Sequence, residues 1–348
     1  MFRMVGLRSA HQRSVSSFFA EKMDARARIL RAALLSYPAG ASWNGLGVPI
    51  QQFRSGLIYD VGQEDGELDG GPSMMVGGPE GMMQRGKFGD VAGVRTYFIE
   101  EGRGAPLLLL HGAAPGACSD ITWRDIIEPL SRNLHVYAMD QVGFGFSEKP
   151  VDKLDMEGRL DHIAGFIKWL GLDKISVLGL SAGGSLAMGV ATRLPDLVER
   201  VIVVSSSPLT SAPAGGAVEP TFEAMKSFCL TNVNRKEVIT RTLVRDLLHV
   251  HTSYGNYEAH LARKAIPFER ERPVREAIAA RFSGWEGKTL MIYGGKDKTP
   301  LDRTMTFFTS LPKAEMHIFG DCGHWLHFER PSSLIHEVHN FLLEYSGV

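Results

Sequence analysis

Residues 174 to 185 read KISVLGLSAGGS, a short β-branched and leucine-rich run closing on a serine set between small residues. The run has the length and composition of a strand, and Ala182, Gly183 and Gly184 are small enough for a helix to start directly behind a tight turn. Gly179, Ser181 and Gly183 make G-x-S-x-G, the pattern in which a sharp strand-to-helix turn lifts a serine hydroxyl clear of a sheet. With 38 glycines in 348 residues the pentapeptide arises by chance in roughly one such chain in four, so its position carries the argument. The plainer use of the serine is to cap a helix behind a glycine turn.

The same rhythm extends outward from this point. Strand candidates at 105–110, 135–140, 174–179, 200–205, 289–293 and 315–319 alternate with amphipathic stretches. In DMEGRLDHIAGFIKWLG (155–171), Ile163, Phe166, Ile167 and Leu170 recur at helical spacing and Gly171 can end the helix; SSLIHEVHNFLLEYS (332–346) has the same period. Such βα units predict an α/β protein with a mostly parallel sheet, whose ligands bind beyond the carboxyl ends of the strands. Roughly 80 residues of helical pattern separate the strand ending near Ser206 from the one starting at Thr289, too many for a connection. A helical cap inserted over 208–285 is expected, dividing a core of 86–207 and 286–348.

Composition narrows the partners. Lys and Arg number 38 against 39 Asp and Glu, so no overall positive field favours nucleic acid or an anionic membrane. Cys118, Cys229 and Cys322 are too few and too scattered for a disulfide framework or a metal site and read as reduced thiols in a cytoplasmic protein. No apolar run approaches the roughly 18 residues that span a bilayer. Residues 1–85 read as an extension and flexible link. Its first 20 residues carry Arg3, Arg8 and Arg13 without an acid, the composition of a transit peptide. An arm with a structural or interface role is the favoured reading, ahead of an upstream start and of targeting.

A serine hydroxyl needs a base to take its proton, and the base needs an acid to fix its tautomer. Asp297 follows a strand in IYGGKDKTP, and His324 follows another in GDCGHWLHFERP. Asp302 is a lesser candidate acid, Asp321 a turn former and His327 a rival base. The oxyanion of a tetrahedral intermediate needs two amides: Ala182 supplies one, and HGAAPGA (111–117) makes Ala113 the natural second, with Ala114 next. His111 is expected to be structural. No cofactor and no metal are expected; His249 and His251 point to different faces of a helix.

With these residues in hand, the chain from about 87 to 348 resembles the α/β-hydrolase superfamily, in which the order is serine, acid, histidine. Within it the resemblance is to the meta-cleavage product hydrolases, which cleave a carbon-carbon bond in ring-opened aromatic compounds. HGAAPGA resembles their HGxGPGA, DQVGFGFSEKP (140–150) their D-x-x-GFG-x-[ST]-[DE]-x-P, and GHW (323–325) their GHW. The resemblance implies a small-molecule substrate, substrate contacts at Ala114, Thr122, Leu180 and Trp325, and a homodimer.

Departures point elsewhere. Leu180 and Thr122 stand where that family has asparagines that contact substrate oxygens. The family's cap arginine has Arg245 within a few positions, with Leu247 as the alternative occupant of its place. Ester hydrolases of the same lineage, including those acting on monoalkyl phthalates, do not demand those amides, and a carboxylic ester hydrolase is therefore the second reading. A ligand receptor on the same fold is a lesser one. Residues 231–285 hold ten Lys or Arg against six Asp or Glu, and Arg241 and Arg245 share a helix face. A solvated basic helix is the favoured reading of that face, and binding of an acidic, carboxylate-bearing substrate the sharper one.

Overall fold

The leucines of 107–110 alternate between two faces, and both faces are buried. Leu107 and Leu109 pack with Val136, Leu178 and Ile202, whereas Leu108 and Leu110 pack with Leu160, Val177 and Leu186. A strand that is apolar on both faces belongs in the middle of a sheet covered twice by helices. The computed structural model describes residues 85–206, 209, 216–299 and 301–343, so the expectations for 1–84 and for 344–346 lie outside the described residues.

The strands are β1 (Lys87–Val91), β2 (Val94–Glu101), β3 (Ala105–Leu110), β4 (Leu134–Met139), β5 (Ile175–Leu180), β6 (Val198–Val204), β7 (Lys288–Gly294) and β8 (Ala314–Phe319). They form one sheet in the order β1-β2-β4-β3-β5-β6-β7-β8. The β1–β2 and β2–β4 pairs are antiparallel and the rest parallel. This is the α/β-hydrolase fold. The six strands expected from the sequence are β3 to β8. The β1–β2 hairpin was not anticipated, because β1 is an exposed edge whose residues show only Val91 buried. Its turn places Ala92 and Gly93 both at positive φ, 52° and 76°, as a two-residue hairpin loop requires, and Asp90 Oδ1 accepts from Gly93 N at 2.8 Å.

The helices of eight residues or more are α1 (Met156–Leu170), α2 (Ala182–Arg193), α3 (Phe222–Thr231), α4 (Arg241–Thr252), α5 (Asn256–Lys264), α6 (Phe268–Phe282), α7 (Leu301–Phe308) and α8 (Pro331–Leu343). Asp155 caps α1 through Gly158 N at 2.9 Å, and Gly171 at φ 67° ends it. Helices α3 to α6 are inserted between β6 and β7. The expected cap, 208–285, takes in all four, yet α6 packs on α1 and α2, with Ile278 and Phe282 buried beside Leu160 and Leu186. An amphipathic pattern cannot tell a helix lying over the sheet from one lying over the cleft, and α6 belongs with the sheet's covering layer.

The topology positions the site. The chain passes from β3 to β4 on one side and then to β5 on the other, and this reversal opens a crevice at the carboxyl ends of β3 and β5. Leu110 pairs with Gly179, so the loops after these strands start side by side. All three cysteines are buried away from solvent. Burial pushes the Cys229 and Cys322 thiols up to about 12 and Cys118 well above the usual range. No described helix is long and apolar enough to cross a membrane.

Candidate active site

Strand β5 delivers Ser181 in a strained backbone conformation, φ 53° and ψ −120°, directly before α2. Its surroundings hold it there. Ser181 N donates to Val204 O at 2.8 Å, and Gly184 N donates to Ser181 O at 2.9 Å. A Cβ on Gly183 would come within 2.3 Å of Leu110 O, so the glycines of the turn let two backbones pass at contact distance.

Two further loops converge on the serine. His324 Nε2 lies 2.9 Å from Ser181 Oγ, and His324 Nδ1 lies 2.8 Å from Asp297 Oδ2. With Asp297 accepting the Nδ1 proton, Nε2 is left to accept from the serine hydroxyl. Burial pushes the Asp297 carboxyl up, but hydrogen bonds from His324 and from Thr299 outweigh it and hold the group below the usual carboxylate range. Asp297 is therefore ionised at neutral pH. The loops bearing these residues are sewn together: Gly295 N donates to Phe319 O at 2.7 Å and Lys296 N to Cys322 O at 2.8 Å. Glu329, buried, takes Gly323 N at 2.7 Å with one oxygen, and Asn234 N and Arg235 N at 3.0 and 2.7 Å with the other.

These residues open onto a cavity of about 860 Å³. Ala182 opens α2, so its amide has no acceptor within the helix; Ala113 lies in the loop after β3, and both line the cavity with Ser181 and His324. A profile of the alpha/beta hydrolase family matches residues 107–337, the stretch that carries every one of these groups.

The chain belongs to the alpha/beta hydrolase family.

As an enzyme of that family it is similar to a 2-hydroxymuconate semialdehyde hydrolase of Pseudomonas sp. (strain CF600), 28% identical over 73% of this chain and 92% of the relative. Another of the same description from Pseudomonas putida is 31% identical over the same shares. A solved meta-cleavage product hydrolase from Pseudomonas fluorescens IP01 is 27% identical and superposes over 75% of this chain and 98% of its own, with a TM-score of 0.67.

The remaining expectations for this alpha/beta hydrolase divide. Ala114, Thr122, Leu180 and Trp325 all line the cavity. Arg245 does not. It stands on the exposed face of α4, while Leu247 lines the cavity, because Leu243, Leu247 and Val250 form the buried stripe and Arg245 falls on the opposite side. His327 lines the cavity but is walled by aromatic rings, 4.1 Å from that of Phe328, and burial pushes its imidazole down to about 3. Asp321 sits in a turn and pairs with Arg330. The side chain of Asp302 lies outside the described ones. Sequence reasoning passed over Glu329, two of whose three partners lie about 95 positions away, and over the reach of His260, Lys264 and Arg275 into the cavity from the inserted helices.

Proposed function

We propose that this alpha/beta hydrolase is a cofactor-free serine hydrolase acting on a carbon-carbon bond in a ring-opened aromatic compound. The observation that carries the reading is the hydrogen-bonded line from Asp297 through His324 to Ser181, all three lining the cavity. Relatives named as 2-hydroxymuconate semialdehyde hydrolases and a solved meta-cleavage product hydrolase, matched over nearly their whole length, support the substrate class. In this reading Ser181 Oγ attacks the substrate carbonyl carbon and passes its proton to His324 Nε2. The amides of Ala113 and Ala182 receive the oxyanion, the carbon-carbon bond breaks, and His324 returns the proton to the leaving carbon. Water, deprotonated by the same histidine, then releases the acyl group from Ser181. Prior ketonisation of the dienol gives the departing carbon a place for its electron pair.

A carboxylic ester hydrolase acting on an acidic monoester is the second reading, favoured by one observation: Leu180 and Thr122 meet the cavity where carbon-carbon hydrolases carry amides. An alkoxide leaves with only a proton from His324. Either substrate bears a carboxylate in this proposal, in keeping with Lys264, Arg275, Lys296 and Lys298 around the cavity. A cytoplasmic setting suits three reduced, buried thiols. A homodimer is the proposed assembly, and mass in solution tests it. Turnover of a ring-fission dienol acid, a monoalkyl phthalate and a short p-nitrophenyl ester, with Ser181→Ala as the blank, decides between the readings. Activity on none of them leaves the ligand receptor.

A further inference from the structure

The peptide joining Gly112 to Ala113 is planar and trans, so its C=O and N–H point to opposite sides. His111 Nδ1 lies 2.7 Å from Gly112 O, and His111 is fully buried behind the loop. While that bond holds, the Ala113 N–H is turned the other way, toward the cavity that Ala113 lines. A flip of this one peptide would remove an oxyanion donor without moving the catalytic side chains.

The bond demands one tautomer of His111. Gln141 N lies 3.2 Å from His111 Nε2, and a backbone amide can only donate, so Nε2 is bare and Nδ1 carries the proton. Gln141 also donates through its side chain to His111 O at 2.6 Å. Burial, reinforced by the charges of Arg159 and Arg263, pushes the imidazole down to about 3 and keeps it neutral.

Two arginines fasten the turn that does this. Arg159, on α1, donates to Gln141 Oε1 at 2.6 Å. Arg263 comes from α5, an inserted helix: its Nη1 donates to Gly143 O, and its guanidinium stands 3.7 Å over the Phe144 ring. Phe144 in turn meets the His111 ring edge to face at 5.1 Å. The turn that follows β4 is thus gripped from the inserted helices on one side and grips the oxyanion loop on the other.

We propose that Arg263 is a positioning residue for the Ala113 amide: by clamping the 141–144 turn against His111 it makes the orientation of the Gly112–Ala113 peptide depend on the seating of the inserted helices. The proposal rests on the serine-hydrolase reading above. It gives the inserted helices a share in assembling the oxyanion hole, in addition to enclosing substrate.

The test uses the full chain and p-nitrophenyl acetate, whose turnover reads the triad and the oxyanion hole whatever the natural substrate. Arg263→Met removes the donor and the charge but keeps a flexible stem on Phe144. The expected result is a kcat about tenfold lower with KM within about twofold, and a matching loss of affinity for a trifluoromethyl ketone that forms a tetrahedral adduct on Ser181. Arg263→Lys, which retains a donor for Gly143 O, restores part of both. Should Arg263→Met fail to fold, Phe144→Leu carries the same paired expectation. An unchanged kcat, or a loss confined to KM with adduct affinity intact, overturns the proposal. Wild-type turnover no higher than that of Ser181→Ala overturns the hydrolase reading and this proposal with it.

Discussion

A Cβ on Gly294 would lie 2.1 Å from the carbonyl oxygen of Gly323, the residue before His324. The end of β7 and the histidine loop therefore touch backbone to backbone, and only a residue without a side chain fits between them. Gly294→Ala is expected to push the loop away from Ser181 and lower kcat by at least about tenfold while the protein stays folded. Steady-state kinetics alongside circular dichroism checks this; full activity would mean that the loop has room to spare.

Asp297 orients His324, and its replacement by asparagine offers an amide that can stabilise the wrong tautomer. Asp297→Asn should cost about 10⁴ in kcat with little change in KM. His327→Gln, by contrast, removes an imidazole that burial keeps neutral and that packs against Phe328, and should leave kcat within about threefold. A larger loss at position 327 than at 297 would make His327 the base in place of His324.

Glu329 gathers three backbone N–H groups, from Gly323, Asn234 and Arg235. In Glu329→Gln the new amide nitrogen faces at least one donor that it cannot accept. Leaving a buried donor unmet costs about 1–3 kcal/mol, so thermal unfolding should move several degrees lower. An unchanged midpoint would argue that water reaches this carboxylate.

Substrate choice should respond to the cavity wall and not to the outer face of α4. The double substitution Leu180→Asn with Thr122→Asn should shift the ratio of dienol to ester turnover toward the dienol by about tenfold. Arg245→Ala should leave KM for any carboxylate substrate unchanged, because that arginine is solvated. A KM rise of more than about threefold in Arg245→Ala would return it to the site.

Just past the loop that follows β3, burial first and then the neighbouring Asp140 charge push the Asp120 carboxyl up to about 7, and burial pushes Asp140 up to about 6. A native pKa above the ordinary 3.8 means that the folded protein holds the proton more tightly than the unfolded chain. The stability from this group is complete below about pH 4 and is lost as pH rises through about 7. Asp120→Asn, which cannot ionise, should thus gain several degrees relative to the wild type between about pH 5 and about pH 8. A constant difference across that range would place the titration elsewhere.

The βα alternation was legible because a buried parallel strand writes a continuous apolar run, as PLLLL before His111 does. Strand β1 left no such mark, since an edge strand exposes one face and needs few large residues, and in β2 the buried Tyr97, Phe98 and Ile99 stand among Arg95, Thr96, Glu100 and Glu101. That Ser181, Asp297 and His324 each follow a strand could be read directly; that they come within hydrogen-bonding distance could not, because it depends on how Gly294 and Glu329 let one loop fold over another. Arg245 illustrates a different loss. Its place in the chain was legible and its direction was not, because the two positions between Arg245 and the cavity-lining Leu247 turn a side chain through about 200°.

The burial of Cys118, Cys229 and Cys322 makes this chain chemically quiet toward maleimides and other sulfhydryl reagents, since almost no thiolate is present to react. A single cysteine engineered onto the surface would then be the only fast-labelling position. Fluorophores could follow motion of the inserted helices during turnover without first stripping the native cysteines from the core.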